Sequence, residues 1–121
     1  MSVTQPSIAS PAQAGQVEAV RRIFQRLLER GGEPSLSTTS GTYEFDLEDA
    51  GTWHLRIDAG VLSPPRQPEA GDCVIRCSAS VFIEIAGGRH NMVTAFLQGR
   101  MAVEGDVALA LSFRRLLPVL P

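Results

Sequence analysis

The sequence predicts an α+β domain that combines β-strands with at least one helix docked on a sheet. Three observations predict it. A single strongly amphipathic helix lies near the N-terminus. Two alternating segments follow, centred on Gly51, with the pattern of a hairpin. In the second half, short strand-like and helix-like segments alternate between glycines and end in an apolar helix. The chain has 121 residues, enough for one domain with one core. With 44% apolar and 20% charged residues, its balance is that of an ordinary globular protein. There are no internal repeats.

Residues 1–15 are rich in Pro, Ser, Ala and Gln, a composition that suits a disordered tail, and leave 16–118 as the domain. In 16–30, Val17, Val20, Ile23, Phe24, Leu27 and Leu28 recur at three- and four-residue spacing. Arg21, Arg22, Gln25, Arg26 and Glu29 take the opposite face, and Gly31-Gly32 ends the helix. Such a stripe docks on a sheet; lying on an anionic membrane is the competing reading. In 42–48 and 52–58, Tyr43, Phe45 and Leu47 alternate with polar residues, as do Trp53, Leu55 and Ile57. Matching the apolar faces pairs Leu47 with Trp53, Phe45 with Leu55 and Tyr43 with Ile57, across a loop of Asp49, Ala50 and Gly51. On the polar face that register sets Glu44 opposite Arg56 and Asp46 opposite His54.

A short third strand is expected at 60–63, followed by an exposed loop set by Pro64, Pro65 and Pro68. The remaining expected elements are a strand at 72–77, a helix at 81–86 capped by Ser78 or Ser80, and a helix at 91–98. A strand at 100–104 and a helix at 107–117, capped by Asp106 and ended by Pro118, complete them. The last helix is apolar almost all round, with charge only at Arg114 and Arg115.

Several kinds of chemistry have no support. The formal net charge of −2 gives no electrostatic footprint for nucleic acid. The basic residues are all arginine. No apolar run reaches the roughly 20 residues that span a bilayer. No basic, apolar secretory signal opens the sequence, so a cytoplasmic location is the expectation. Phosphate loops, dinucleotide glycine fingerprints and metal-ligand pairs are missing. Cys73 and Cys77 sit four apart on one face of a strand, roughly 13 Å between Cα atoms, too far for a disulfide. Neither His54 nor His90 stands at metal-ligand spacing from them. Asp46 with His54 reads as a surface pair, since no nucleophile is placed beside them.

Certain pieces come in a fixed order: Trp53 opening a strand, Asp72-Cys73 opening another, and Ser80 with Phe82 on a capped helix. Phe96 with Gln98-Gly99-Arg100 then leads into a strand, and Gly105-Asp106 into an apolar helix. In that order they resemble the sterol carrier protein two family over about residues 16–117. The resemblance implies a five-stranded mixed sheet with helices on one face. It also implies a hydrophobic tunnel between sheet and helices for sterols, fatty acids or acyl-CoA. Bacterial members are often carriers for lipophilic metabolites, including isoprenoid quinones. Unlike the animal members, this sequence shows neither a longer connection between its first two strands nor a C-terminal peroxisomal address.

Under that resemblance the expected tunnel lining is Trp53, Leu55, Ile75, Met101 and Val103 from the sheet, and Phe82, Ile85, Phe96, Leu109 and Leu111 from the helices. Gln98 supplies one polar contact near the opening. Taken singly, each apolar member of this set fits ordinary core better than tunnel lining. The expected function is non-catalytic binding and carriage, or presentation, of a long-chain lipid or sterol-like ligand, with no cofactor and no metal. Transient membrane contact and a partner enzyme of lipid metabolism are the further expected partners. The competing expectation is an accessory interaction subunit with no ligand of its own, whose apolar C-terminal helix docks on a partner.

Overall fold

A computed structural model describes residues 11–65 and 70–119. Helix α1 (Pro11–Arg30) and a 3-10 turn (Pro34–Leu36) precede strands β1 (Gly41–Leu47), β2 (Gly51–Asp58) and β3 (Val61–Ser63). Strand β4 (Cys73–Cys77), helices α2 (Ala79–Ala86) and α3 (Met92–Leu97), strand β5 (Met101–Gly105) and helix α4 (Val107–Ser112) follow. The chain then tightens into a 3-10 turn, Phe113–Leu116. The five strands form one sheet in the order β3-β2-β1-β4-β5. β1 runs parallel to β4 and the other pairs are antiparallel, so the sheet is mixed, as expected. Among the described residues, no helix is long and apolar enough to cross a membrane.

The sheet has one dry face. Tyr43, Phe45 and Leu47, Leu55 and Ile57, and Cys73, Ile75 and Cys77 are all buried on it. The helices cover that face. The α1 stripe is fully committed there: Val20, Ile23 and Leu27 are 0% exposed and Phe24 6%. Its docking on the core therefore replaces the membrane reading. α1 begins at Pro11, inside the segment expected as a tail. Proline suits the first helical turn, and the Ala and Gln that follow favour helix. Periodicity sees only the part of the helix that docks. Residues 1–10 of the expected tail, and 66–69 of the proline loop, lie outside the described residues.

The hairpin register differs from the expected one by two residues. Phe45 pairs with Trp53, Tyr43 with Leu55, and Leu47 with Gly51. A shift of two keeps every side chain on its own face, so apolar matching cannot detect it. The turn decides instead. Ala50 N donates to Leu47 O at 3.0 Å, and Gly51 takes a φ of 87°, which favours glycine. The polar partners change accordingly. Glu44 meets His54 at 3.5 Å, and Asp46 accepts from Arg76 on β4 at 3.2 Å.

Smaller differences at the ends of elements have local causes. Ser78, not Ser80, caps α2, its Oγ accepting from Val81 N at 3.2 Å. Strand β4 starts one residue late because Asp72 Oδ2 accepts from Thr42 N at 2.8 Å. Strand β5 starts at Met101 because Arg100 N closes the preceding turn on Ala95 O at 2.9 Å. Asn91 and Asp106 cap α3 and α4, accepting from Thr94 N and Leu109 N at 3.0 Å each. The expected helix over 107–117 gives way to the 3-10 turn after Ser112.

Aromatic rings fill the layer between sheet and helices. Phe45 lies 5.3 Å from Phe24, 5.3 Å from Phe82 and 4.9 Å from Phe113, centroid to centroid. Both cysteines are free and buried on β4. Burial first, then nearby carboxylates, pushes each thiol up to about 12 from an ordinary 9.0. Burial likewise pushes Tyr43 to about 12, against its hydrogen bond with Ser112. In the unfolded chain these groups ionise at their ordinary values, so the unfolded state loses protons first as pH rises. Their contribution to stability is thus whole below pH 9 and lost between about 9 and 12. Denaturant midpoints are expected to be flat across neutral pH and to fall steadily through that window. Thiol reagents are expected to label two cysteines only after denaturation. A midpoint that holds through pH 12 contradicts the burial of these groups.

Candidate functional site

An apolar groove of about 290 Å³ opens between α3, β5 and α4. Each wall follows from the local sequence. β5 turns Met101 and Val103 toward the helix side by simple alternation. α3 contributes Val93, Phe96 and Leu97, and α4 contributes Val107, Ala110 and Leu111. The corner between β5 and α4 is tight. Gly105 has a φ of 84°, and a Cβ there would stand 2.5 Å from Asp72 O. That close approach brings α4 back across β4, so that Leu109 and Ala110 are buried while Val107 and Leu111 stay exposed.

Apolar exposure is concentrated at this opening. The large hydrophobic side chains exposed among the described residues are Val61, Phe96, Leu97, Val107 and Leu111. All but Val61 line the groove. Exposed apolar groups gathered on one concave surface mark a binding region, whereas scattered ones carry no meaning. Arg114 is the one charged residue in the lining. The lining holds no nucleophile and no acid–base pair, so its chemistry suits holding an apolar chain.

The structure divides the expected site residues into two groups. It brings Phe96, Met101, Val103 and Leu111 together in the groove. Leu55, Ile75, Phe82, Ile85 and Leu109 are at most 4% exposed and belong to the closed core. Trp53 is half-buried elsewhere, stacked on Phe24 with ring centroids 5.2 Å apart, and its Nε1–H donates to Ala50 O at 2.8 Å. Gln98 is exposed, and its backbone N–H closes α3 on Thr94 O. Between the sheet centre and the helices, the aromatic cluster fills the layer. The open apolar space lies at the edge, against β5.

The groove also uses Met92, Val93, Leu97, Val107, Ala110 and Arg114, which the sequence reading did not select. The signal was there. Val93, Phe96 and Leu97 form one stripe at three- and four-residue spacing, and Val107, Ala110, Leu111 and Arg114 form another. Each helix thus has two apolar faces, one for the core and one for the groove. Among the described residues no cluster of His, Cys, Asp or Glu could hold a metal ion.

With this geometry established, similarity to known proteins adds a family. The model of the SCP-2 sterol transfer family matches residues 21–118. The chain is 28% identical over 116 residues to hydroxysteroid dehydrogenase-like protein 2 of Danio rerio, covering 93% of this chain and 27% of that protein. It thus spans about a quarter of that relative's length. Among solved structures, a variant of the sec-alkylsulfatase PisA1 superposes with a TM-score of 0.68 at 21% identity, covering 84% of this chain and 16% of that one. Sterol carrier protein-2 from Aedes aegypti, solved in complex with palmitate, superposes with a TM-score of 0.59 at 18% identity, covering 88% of this chain and 97% of that one. At such identities the structural matches establish the fold.

Proposed function

The chain belongs to the SCP-2 sterol transfer family, and we propose that it binds a long-chain lipid, without transforming it, in the groove between α3, β5 and α4. The observation that carries this reading is the gathering of Phe96, Leu97, Val107 and Leu111 around one concave apolar surface. Seating about eight methylenes there contributes about 6 kcal/mol, before the costs of association. The groove's 290 Å³ stands at the lower end of the ligand-pocket range of roughly 300–1,000 Å³, which suits one slender acyl chain better than a fused ring system. The palmitate held by the Aedes aegypti protein supports the same ligand class. Similarity to single stretches of longer proteins supports a second reading, in which the unit presents its lipid to an enzyme of lipid metabolism.

Displacement of a fluorescent fatty acid by dodecanoate tests the proposal, together with native mass spectrometry of the purified chain. Saturable displacement is the expected result. Trp53 is expected to report nothing during the titration. It lies on β2, three strands from β5 and so roughly 14 Å away, and α1 holds its ring. Absence of displacement at micromolar protein rejects lipid binding. A Trp53 emission shift that tracks occupancy moves the ligand from the groove to the sheet centre.

A further inference from the structure

We propose that a basic depression beside the groove holds the phosphate head of the lipid whose chain the groove takes. The ligand is then a phosphate-bearing amphiphile, seated in one direction only. This deepens the lipid-binding reading above and rests on it. The depression measures about 360 Å³ and is lined by Arg89, His90, Asn91 and Arg114 over a floor of Ile85 and Leu117. It is continuous with the groove, because Met92 and Arg114 belong to the walls of both. A chain seated among Phe96, Val107 and Leu111 that leaves past Met92 delivers its polar end to these side chains.

The local sequence builds this corner. α2 ends at Gly87-Gly88, and Gly88 takes a φ of 76° against Pro118, where a Cβ would stand 3.2 Å from the ring. Arg89 N then closes on Glu84 O at 2.9 Å. Arg89, His90 and Asn91 follow one another along the edge of the depression, and Arg114 reaches it from the C-terminal 3-10 turn.

Its polar groups offer donors. No carboxylate lines the depression or the groove, although the chain as a whole carries a net charge of −2. Among the described residues, neither Arg89 nor Arg114 makes an ion pair. Asn91 commits its Oδ1 to Thr94 N, so its amide N–H groups are what it has left to give. His90 Nε2 is buried and has no hydrogen-bond partner among the described residues, whereas buried polar atoms are ordinarily paired. Carrying its proton, that nitrogen donates to an anionic oxygen.

The number of charges and donors favours phosphate over carboxylate. A phosphate monoester carries about −1.5 to −2 at neutral pH and presents three strong acceptor oxygens. A carboxylate carries a single charge on two oxygens. Two guanidinium forks, an imidazole donor and an amide match the larger anion, and the forks bind its oxygens two at a time. A fatty alcohol brings no charge, and its hydroxyl answers only one of these groups.

Displacement of the fluorescent fatty acid by dodecyl phosphate, dodecanoate and dodecanol, each below its micellar or solubility limit, tests the proposal on the full chain at neutral pH. The three share one chain length and differ only in the head. Dodecyl phosphate is expected to bind about tenfold more tightly than dodecanoate and about a hundredfold more tightly than dodecanol. Arg89→Gln is expected to weaken dodecyl phosphate about tenfold and so to narrow its lead over dodecanol. Arg22→Gln, on the exposed face of α1, removes the same charge elsewhere and is expected to leave that lead unchanged. Nitrogen-15 NMR of the two histidines adds a readout on the wild-type chain. Dodecyl phosphate is expected to shift the Nε2 resonance of His90 and to leave that of His54 on β2 in place. Equal affinity for the three compounds, tighter binding of dodecanoate than of dodecyl phosphate, or a His90 resonance fixed at saturation overturns the phosphate site and leaves the lipid-binding reading standing. So does a phosphate affinity that Arg89→Gln does not change. Failure of all three compounds to displace the probe rejects both.

Discussion

Phe45→Ala is expected to cost about 3–5 kcal/mol of stability, a large part of the 5–15 kcal/mol that holds a domain of this size. Phe45 is 0% exposed on β1, the central strand of the sheet. Its ring meets Phe24 from α1, Phe82 from α2 and Phe113 from the C-terminal turn, with centroids 4.9 to 5.3 Å apart. Tyr43 lies 6.0 Å away along the same strand. Removing that ring forfeits its transfer free energy and leaves a cavity that three separate elements would have to collapse together to fill. They are fixed by their own contacts, so collapse is incomplete and the loss stands at the upper end. Denaturant titration of wild type and variant measures it, as a lower midpoint with an unchanged slope. A loss under about 1 kcal/mol would show that this cluster is loosely packed, with room for a ligand at the sheet centre.

The contrast with Phe96 shows what the sequence made legible and what it did not. Both residues stand on apolar stripes, Phe45 on the apolar face of the hairpin and Phe96 in the expected tunnel lining. Phe45 is buried and Phe96 is 46% exposed. Alternation tells which face of a strand is apolar, and helical spacing tells which stripe of a helix is. Neither tells whether a second apolar face covers the first. That depends on how α3 and α4 lean against the edge strand β5, which the corner at Gly105 and the caps at Asn91 and Asp106 decide. Element order was legible because caps, glycines and periodicity all agreed with one arrangement, whereas the mixed sheet was implied only by the family resemblance. The hairpin register was not, because the two candidate registers bury the same side chains and differ only in turn geometry. The groove is the same kind of case. Its residues were visible as stripes, and their convergence is a tertiary property.

Val103→Trp is expected to weaken lipid binding roughly a hundredfold while leaving the fold intact. Val103 is half-buried on the edge strand β5, opposite Ile75 on β4, and its side chain forms part of the groove wall with Met101. An indole there has one place to go, the open groove, where it meets the exposed faces of α3 and α4. It displaces about three or four methylenes of a bound chain, each worth about 0.8 kcal/mol, so affinity falls by roughly a hundredfold. Overpacking a closed core costs about 1–3 kcal/mol, but this side chain enters existing space and covers apolar surface already exposed. Stability is therefore expected to stay within about 1 kcal/mol of wild type or to rise slightly. Ala102→Trp supplies the comparison. Ala102 is the preceding residue of β5, is exposed, and points to the polar face, so the same bulk there is expected to leave lipid affinity untouched. Dodecanoate displacement and denaturant melts on the two variants decide the matter. If Val103→Trp binds lipid as wild type does, the ligand does not occupy this groove. If it unfolds while Ala102→Trp does not, Val103 belongs to the core and the groove has no depth beneath it.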